Sequence, residues 1–173
     1  MASPPTLDGR ADDPAWQKIP WTYGFRDLYQ KYSYSPRQTA FKIAYDRDFL
    51  YLLIRCCEPE MTKVKTGARA QDGWPTSLDD LYFISANAYV ENGTWADSPF
   101  TIMQIGAGQI QRAHRHGEGV VADPPGWKTA YRADDRNWYI ETAIPLSFLA
   151  IDPAKGGFFN IVRHLTTIPG GRL

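Results

Sequence analysis

Charge of neither sign is in excess: nineteen Lys and Arg balance nineteen Asp and Glu, for a formal net charge of zero. A neutral chain has no global field to gather nucleic acid or an anionic membrane, and neither is an expected partner. Cysteine is scarce. The two present, Cys56-Cys57, are adjacent in an apolar run. Successive strand side chains point to opposite faces, so the pair reads as two packed thiols and not as a disulfide. Too few ligands surround them for a zinc site. No apolar run is long enough to span a bilayer. Met1 leads straight into Ala-Ser-Pro-Pro, with no basic start and no apolar stretch, so no signal peptide is visible. Helical periodicity is almost absent, as are internal repeats and low-complexity tracts. Catalytic signatures are missing too: there is no G-x-S-x-G, no phosphate loop and no H-E-x-x-H.

What the chain does have is aromatic residues, six Trp, ten Tyr and eight Phe among 173 residues. Aromatics pack well on pleated surfaces and also stack on ligands. The length fits one domain over residues 1–173. The end after Ile168-Pro169-Gly170-Gly171 lacks a closing strand, and the expectation is a domain truncated or excised from a longer protein. Residues 1–15 read as an irregular leader, and residues 15–25 as an extended segment or turn. Phe41, Ile43 and Tyr45 alternate with Lys42, Ala44 and Asp46, the mark of a half-buried strand over 39–45. Phe49-Leu50-Tyr51-Leu52-Leu53-Ile54 is apolar on both faces and predicts a central strand over 49–57, with Asp46-Arg47-Asp48 closing a hairpin. A long loop follows over 58–78. Further strands are expected over 80–86, 99–106, 109–114, 127–133, 138–144 and 158–164, with one helical turn over 145–149 opened by Pro145. Many short strands joined by turns predict an all-β fold, an antiparallel sandwich of jelly-roll or immunoglobulin-like type with at most that one helical turn.

Several residue groups invite chemistry. Asp79 with Glu141 or Asp123 has the composition of a glycosidase carboxylate pair, but no spacing singles out an acid and a nucleophile. His114 and His116 share a strand face, a weak metal signal, and the run Arg112-Ala113-His114-Arg115-His116 reads as a solvated loop or hairpin end. Asp8, Asp12, Asp13, Asp46 and Asp48 are oxygen-rich turn residues that calcium accepts, though without EF-hand spacing. Trp16, Trp138 and Glu141 read as structural, Trp138 because it alternates with Ile140, Thr142 and Ile144.

The order of motifs resembles the family 9 carbohydrate-binding modules and the wider DOMON-like sandwiches. It begins with Leu7-Asp8-Gly9 and Asp13-Pro14-Ala15-Trp16. Phe41-Lys42-Ile43-Ala44-Tyr45-Asp46 and Leu50-Tyr51-Leu52 follow, then Trp74 before Asp79-Asp80-Leu81-Tyr82-Phe83-Ile84. Trp138-Tyr139-Ile140-Glu141-Thr142-Ala143-Ile144-Pro145 and Phe159-Asn160-Ile161-Val162-Arg163 complete it. The resemblance implies a non-catalytic module that binds polysaccharide or oligosaccharide ends, such as those of xylan or cellulose. It further implies a role accessory to a fused glycoside hydrolase, an extracellular or periplasmic location, and no cofactor beyond an optional calcium. A pyranose has apolar C–H faces, which aromatic rings cover, and a hydroxyl rim, which carboxylates, amides and Arg satisfy. On that basis Trp74 is the expected stacking platform. Asp79 and Asp80 stand where the family tends to carry a glutamate that bonds hydroxyls. Gln104, Arg112, Asn160 and Arg163 are further candidate contacts, with a structural hydrogen bond as the default for the last two. The family's second stacking tryptophan has no counterpart after Arg163, which leaves Trp95 or Trp127 as substitutes. The alternative within the superfamily is a haem-binding electron-transfer domain, with Met61, Met103, His114 and His164 as ligand candidates.

Overall fold

The computed structural model describes residues 3–27, 33–66, 80–86, 100–107, 110–115, 119–121, 125–149 and 157–165. Among these, nine strands run in chain order: β1 Thr39–Tyr45, β2 Phe49–Cys57, β3 Asp80–Ala86, β4 Phe100–Gly106, β5 Ile110–Arg115, β6 Gly119–Val121, β7 Lys128–Ala133, β8 Asn137–Pro145 and β9 Phe158–His164. They pair antiparallel into a four-stranded sheet, β1-β2-β8-β7, and a five-stranded sheet, β6-β5-β4-β3-β9. The expected sandwich is the observed one.

Two hairpins of the four-stranded sheet are built by the same device. Asp46 accepts the backbone N–H of Asp48 and of Phe49 on Oδ1, while Oδ2 accepts the Tyr51 hydroxyl at 2.6 Å. Asp134 accepts the N–H of Arg136 and of Asn137 on Oδ1, and the Tyr139 hydroxyl on Oδ2. In each, an Asp side chain substitutes for a backbone acceptor in the turn, and a Tyr five residues on holds the carboxylate in place. The Tyr51 hydroxyl is pushed up to about 12 by burial and by its hydrogen bond to Asp46.

The main core lies between the sheets. Leu52, Ile54, Cys56, Trp138, Ile140 and Ile144 face it from one sheet, and Phe83, Met103, Ile105, Ala113 and Ile161 from the other. Trp127 closes one edge, its Nε1–H donating to Thr142 Oγ1 at 2.7 Å. A second cluster lies on the far side of the four-stranded sheet. There Trp16 packs on Ala44, Tyr51, Leu53 and Ala143, with Leu7, Ala11, Ile19 and Trp21 around it. The leader is therefore a third layer. That is why β2 and β8 are apolar on both faces.

Trp16 sits on a short helix, α1 (Pro14–Gln17), which Asp13 caps by accepting the Ala15 N–H, with Pro at the first helical position. The register puts Lys42, Leu53 and Glu141 in one row across β1, β2 and β8. Both charged ends of the row hold Trp16. Its indole N–H donates to Glu141 Oε1 at 2.7 Å, and its carbonyl accepts Lys42 Nζ at 2.7 Å. The other oxygen of Glu141 accepts the N–H of Asp8 and of Gly9, both at 2.9 Å.

Some expectations need correction. Residues 14–17 are helical, and a 3-10 turn, Met61–Lys63, interrupts the long loop. Strand β6 is an addition, recruited by pairing with β5. Pro145 ends β8 and caps the 3-10 turn Leu146–Phe148 without entering it. The run 112–115 lies within β5, a strand with a neighbour on each side, and not in a loop. Cys56 is buried but Cys57 is exposed, so only one of the two thiols is packed.

Candidate functional site

Strand parity sorts the expected site residues. Met103 faces the core and pairs with Phe83 and Ala113, and Ile161 pairs with Phe83. Positions 80, 82, 104, 112, 160, 162 and 164 therefore belong to the opposite, outer face of the five-stranded sheet. Gln104 on β4 is directly opposite Arg112 on β5 and Tyr82 on β3, and Tyr82 is opposite Val162 on β9. Asp80 and His164 form a pair two positions further on. The register thus brings Asp80, Gln104, Arg112 and Asn160 to one face. Gln104 is almost fully buried there, while Asn160 is exposed. Trp74, Asp79, Trp95 and Asp123 lie outside the described residues.

Arg163 faces the other way and has the structural role expected of it by default, that of an internal strut. Its Nη1–H donates to the Cys57 carbonyl at 2.9 Å, its Nη2 lies 3.4 Å from Glu58 Oε2, and the guanidinium stacks 5.4 Å from the Trp138 ring centroid. Glu58, also fully buried, accepts Arg37 Nη1 on its other oxygen. Burial opposes the charge on Arg37, yet the hydrogen bonds to Glu58 and Glu60 hold its pKa above the ordinary value. A buried Arg-Glu-Arg network is costly to break, because each partner left behind would be an unpaired charge. Trp127 is also removed as a substitute platform, since it is 7% exposed and bonded inward to Thr142.

The remaining chemistry-bearing candidates divide similarly. Among the described residues no group of three or more His, Cys, Asp or Glu could hold a metal ion. The turn carboxylates serve the backbone: Asp13 accepts from Thr6 and Ala15, Asp8 from Arg10, and Asp46 from Asp48 and Phe49. Met103 is packed in the core and Met61 lies partly buried against it. Glu141, half of one considered carboxylate pair, is spent on Trp16, Asp8 and Gly9. Burial raises its pKa against the pull of those three donors.

The structure adds a cleft that sequence reasoning missed. Strands β1 and β9 are the edges of the two sheets. A strap over residues 22–26 crosses beside them, tied to β1 by Thr22 N–H to Phe41 O at 2.8 Å and the reciprocal bond at 3.0 Å. Between strap and strands is a cavity of about 410 Å³ lined by Tyr23, Phe25, Arg26, Phe41, Phe159 and Asn160, among others. Tyr23 is 59% exposed and Phe159 44%. Phe159 shares the inward parity of Ile161 and Arg163, so alternation along β9 gave no signal for it; it reaches the cleft because β9 is an edge strand, which the sequence pattern does not display.

No family model matches the chain, and no curated protein matches it significantly. Solved structures do. A family 9 carbohydrate-binding module from Caldicellulosiruptor kristjanssonii in complex with glucose superposes with a TM-score of 0.63 at 17% identity, covering 99% of this chain and 79% of that one. A family 9 module from the same organism in complex with cellotriose gives 0.56 at 15% identity, covering 95% and 82%. At these identities the likeness concerns the fold: the chain has the β-sandwich fold of the family 9 carbohydrate-binding modules.

Proposed function

We propose that this domain is a non-catalytic carbohydrate-binding module. The observation that carries the reading is the likeness of nearly the whole chain to two modules with bound sugar. Fold alone does not carry function, so the residues must supply the site. The outer face of the five-stranded sheet offers a carboxylate position at Asp80, an amide and a guanidinium position side by side at Gln104 and Arg112, and the exposed amide of Asn160. Those are the donor and acceptor types that a hydroxyl rim needs. Trp74 is the stacking platform in this reading, with Asp79 beside Asp80 as a hydroxyl acceptor. The ligands are ends of plant cell-wall glycans of the cellulose or xylan class, and the module works outside the cell beside a glycoside hydrolase.

Calorimetric titration with glucose, cellotriose and xylotriose tests the reading. Trp74→Ala should weaken cellotriose binding by about tenfold or more, the worth of one stacked ring, with an unchanged melting temperature. Absence of heat with all three sugars overturns the reading. Unchanged affinity in Trp74→Ala removes Trp74 as the platform.

A further inference from the structure

We infer that the outer face of the four-stranded sheet, beside the leader, docks an acidic glycan whose uronate carboxylates sit on Arg55 and Arg132; the glycan as occupant rests on the carbohydrate-binding reading above. The antiparallel bridge between Thr22 and Phe41 adds residues 21–23 to the edge of this sheet. The register then sets Tyr23, Ala40, Arg55, Tyr139 and Arg132 in one row across it. Bridged residues point the same way, so Thr22 takes the inward parity of Phe41, and Trp21 and Tyr23 share the outward parity of Lys42 and Arg55. The contacts agree. Arg55 Nη2 donates to the Tyr23 hydroxyl at 3.2 Å, and the guanidinium lies 4.8 Å from the Trp21 ring centroid and 6.0 Å from that of Tyr23. Ala40, between them in the row, has too small a side chain to block that reach. The leader covers the next row, Lys42, Leu53 and Glu141, and leaves this one open: Tyr23 and Arg132 are exposed, and Arg55 and Tyr139 are half-buried.

The charge on this row is held but not neutralised. Ring contacts fix Arg55 in place and leave its charge intact. Among the described residues no carboxylate pairs with Arg55, Arg132 or Lys42, whereas Arg10, Arg37, Lys63 and Arg163 each have one. Two carboxylates close by are engaged elsewhere. Asp134 accepts the N–H groups of its turn and the Tyr139 hydroxyl, and Glu141 is buried under the leader. The field reaches the neighbouring row, where burial and the charge of Arg55 hold Lys42 below its ordinary value. Two open guanidiniums on one face of a chain with no net charge are the complement of an anion. Their planar forks match a carboxylate, and each can donate to both of its oxygens. Arg55 and Arg132 stand two strands apart, about 10 Å, a span that linked sugar units cover. Tyr23, 59% exposed, supplies ring surface for a sugar C–H face. Nucleic acid is the poorer fit, because its binding draws on many phosphate contacts and this row has few cations to give.

The test is calorimetric titration of trigalacturonate into the wild type, Arg55→Gln and Arg132→Gln, with cellotriose, triglutamate and a DNA trinucleotide as comparison ligands. Trigalacturonate should bind the wild type more tightly than the other two anions, and saturating cellotriose should not displace it. Each variant should weaken it by about tenfold, and molar salt should abolish it, while cellotriose affinity stays the same in both variants. Thermal melts confirm that the variants fold. Arg132 is exposed, so Arg132→Gln keeps the test decisive if Arg55→Gln loosens residues 21–23. Absence of heat with trigalacturonate while cellotriose binds overturns this face and leaves the carbohydrate-binding function standing. Unchanged trigalacturonate affinity in both variants does the same, as does its displacement by cellotriose. Tighter binding of triglutamate or of the trinucleotide overturns the glycan as occupant. No heat with either sugar overturns both readings.

Discussion

Gly9 shows how much one residue decides. Its φ is +77°, and a Cβ placed there would lie 2.9 Å from Arg132 Cβ and 3.2 Å from the Arg132 backbone nitrogen. Both the backbone conformation and the space demand glycine, and the N–H so presented is one of the three that Glu141 accepts. Gly9→Ala should therefore destabilise the fold by about 1–3 kcal/mol, read as a lower urea midpoint at unchanged slope. An unchanged midpoint would mean that the leader does not need this geometry. At this scale the sequence was legible for orientation and blind to partners. Alternation put Asn160 and Arg163 on opposite faces, which is correct. It did not show that Arg163 ends among Glu58, Cys57 and Trp138, because those partners arrive from β2, the segment after it and β8. Tyr23 and Phe159 were missed for the same reason: their cleft is closed by segments from opposite ends of the chain.

Elements with a repeating pattern were legible, and those made by contact were not. β1, β2, β3 and β9 were read to the residue, since each has seven or more positions of alternating or doubly apolar character. α1 has four residues and β6 three, too few to display any period. What stabilises α1 is Trp16, fully buried on the outer side of the four-stranded sheet. The opening motif marks the fold because Gly9 and Trp16 both converge on Glu141. Trp16 fills this second cluster and not the space between the sheets. Trp16→Ala should cost about 3–5 kcal/mol, the usual range for a fully buried tryptophan. Trp16→Phe keeps most of the ring area but leaves Glu141 short of a donor, for about 1–3 kcal/mol. Urea denaturation ranks the two. Equal losses would show that the hydrogen bond, not the packing, holds the leader down.

For the whole molecule, hydrogen-bonded carboxylates set the response to acid. Asp13 is held below its ordinary 3.8 by the N–H groups of Thr6 and Ala15, and Asp46 by the Tyr51 hydroxyl and two N–H groups. Asp134 is held low in spite of partial burial, by Arg136 and Asn137, and Glu60 by Lys63 and Arg37. Groups with depressed values contribute stability that is present above their ordinary range and lost as pH falls through the depressed values. The urea midpoint should therefore hold near neutrality and fall below about pH 4. Glu141 has the opposite sign. Burial raises it above 4.5, so its stabilising contribution is complete below that pH and is withdrawn as pH rises through the raised value. Glu141→Gln removes this one titration. It turns an amide N–H towards the backbone donors of Asp8 and Gly9, at a cost of about 1–3 kcal/mol. Because the other carboxylates titrate alike in both proteins, the stability gap between wild type and Glu141→Gln isolates Glu141. That gap should be widest near pH 4 and should narrow as pH rises to 8. A gap that instead widens would mean that the three donors outweigh burial, which would place Glu141 with the depressed carboxylates.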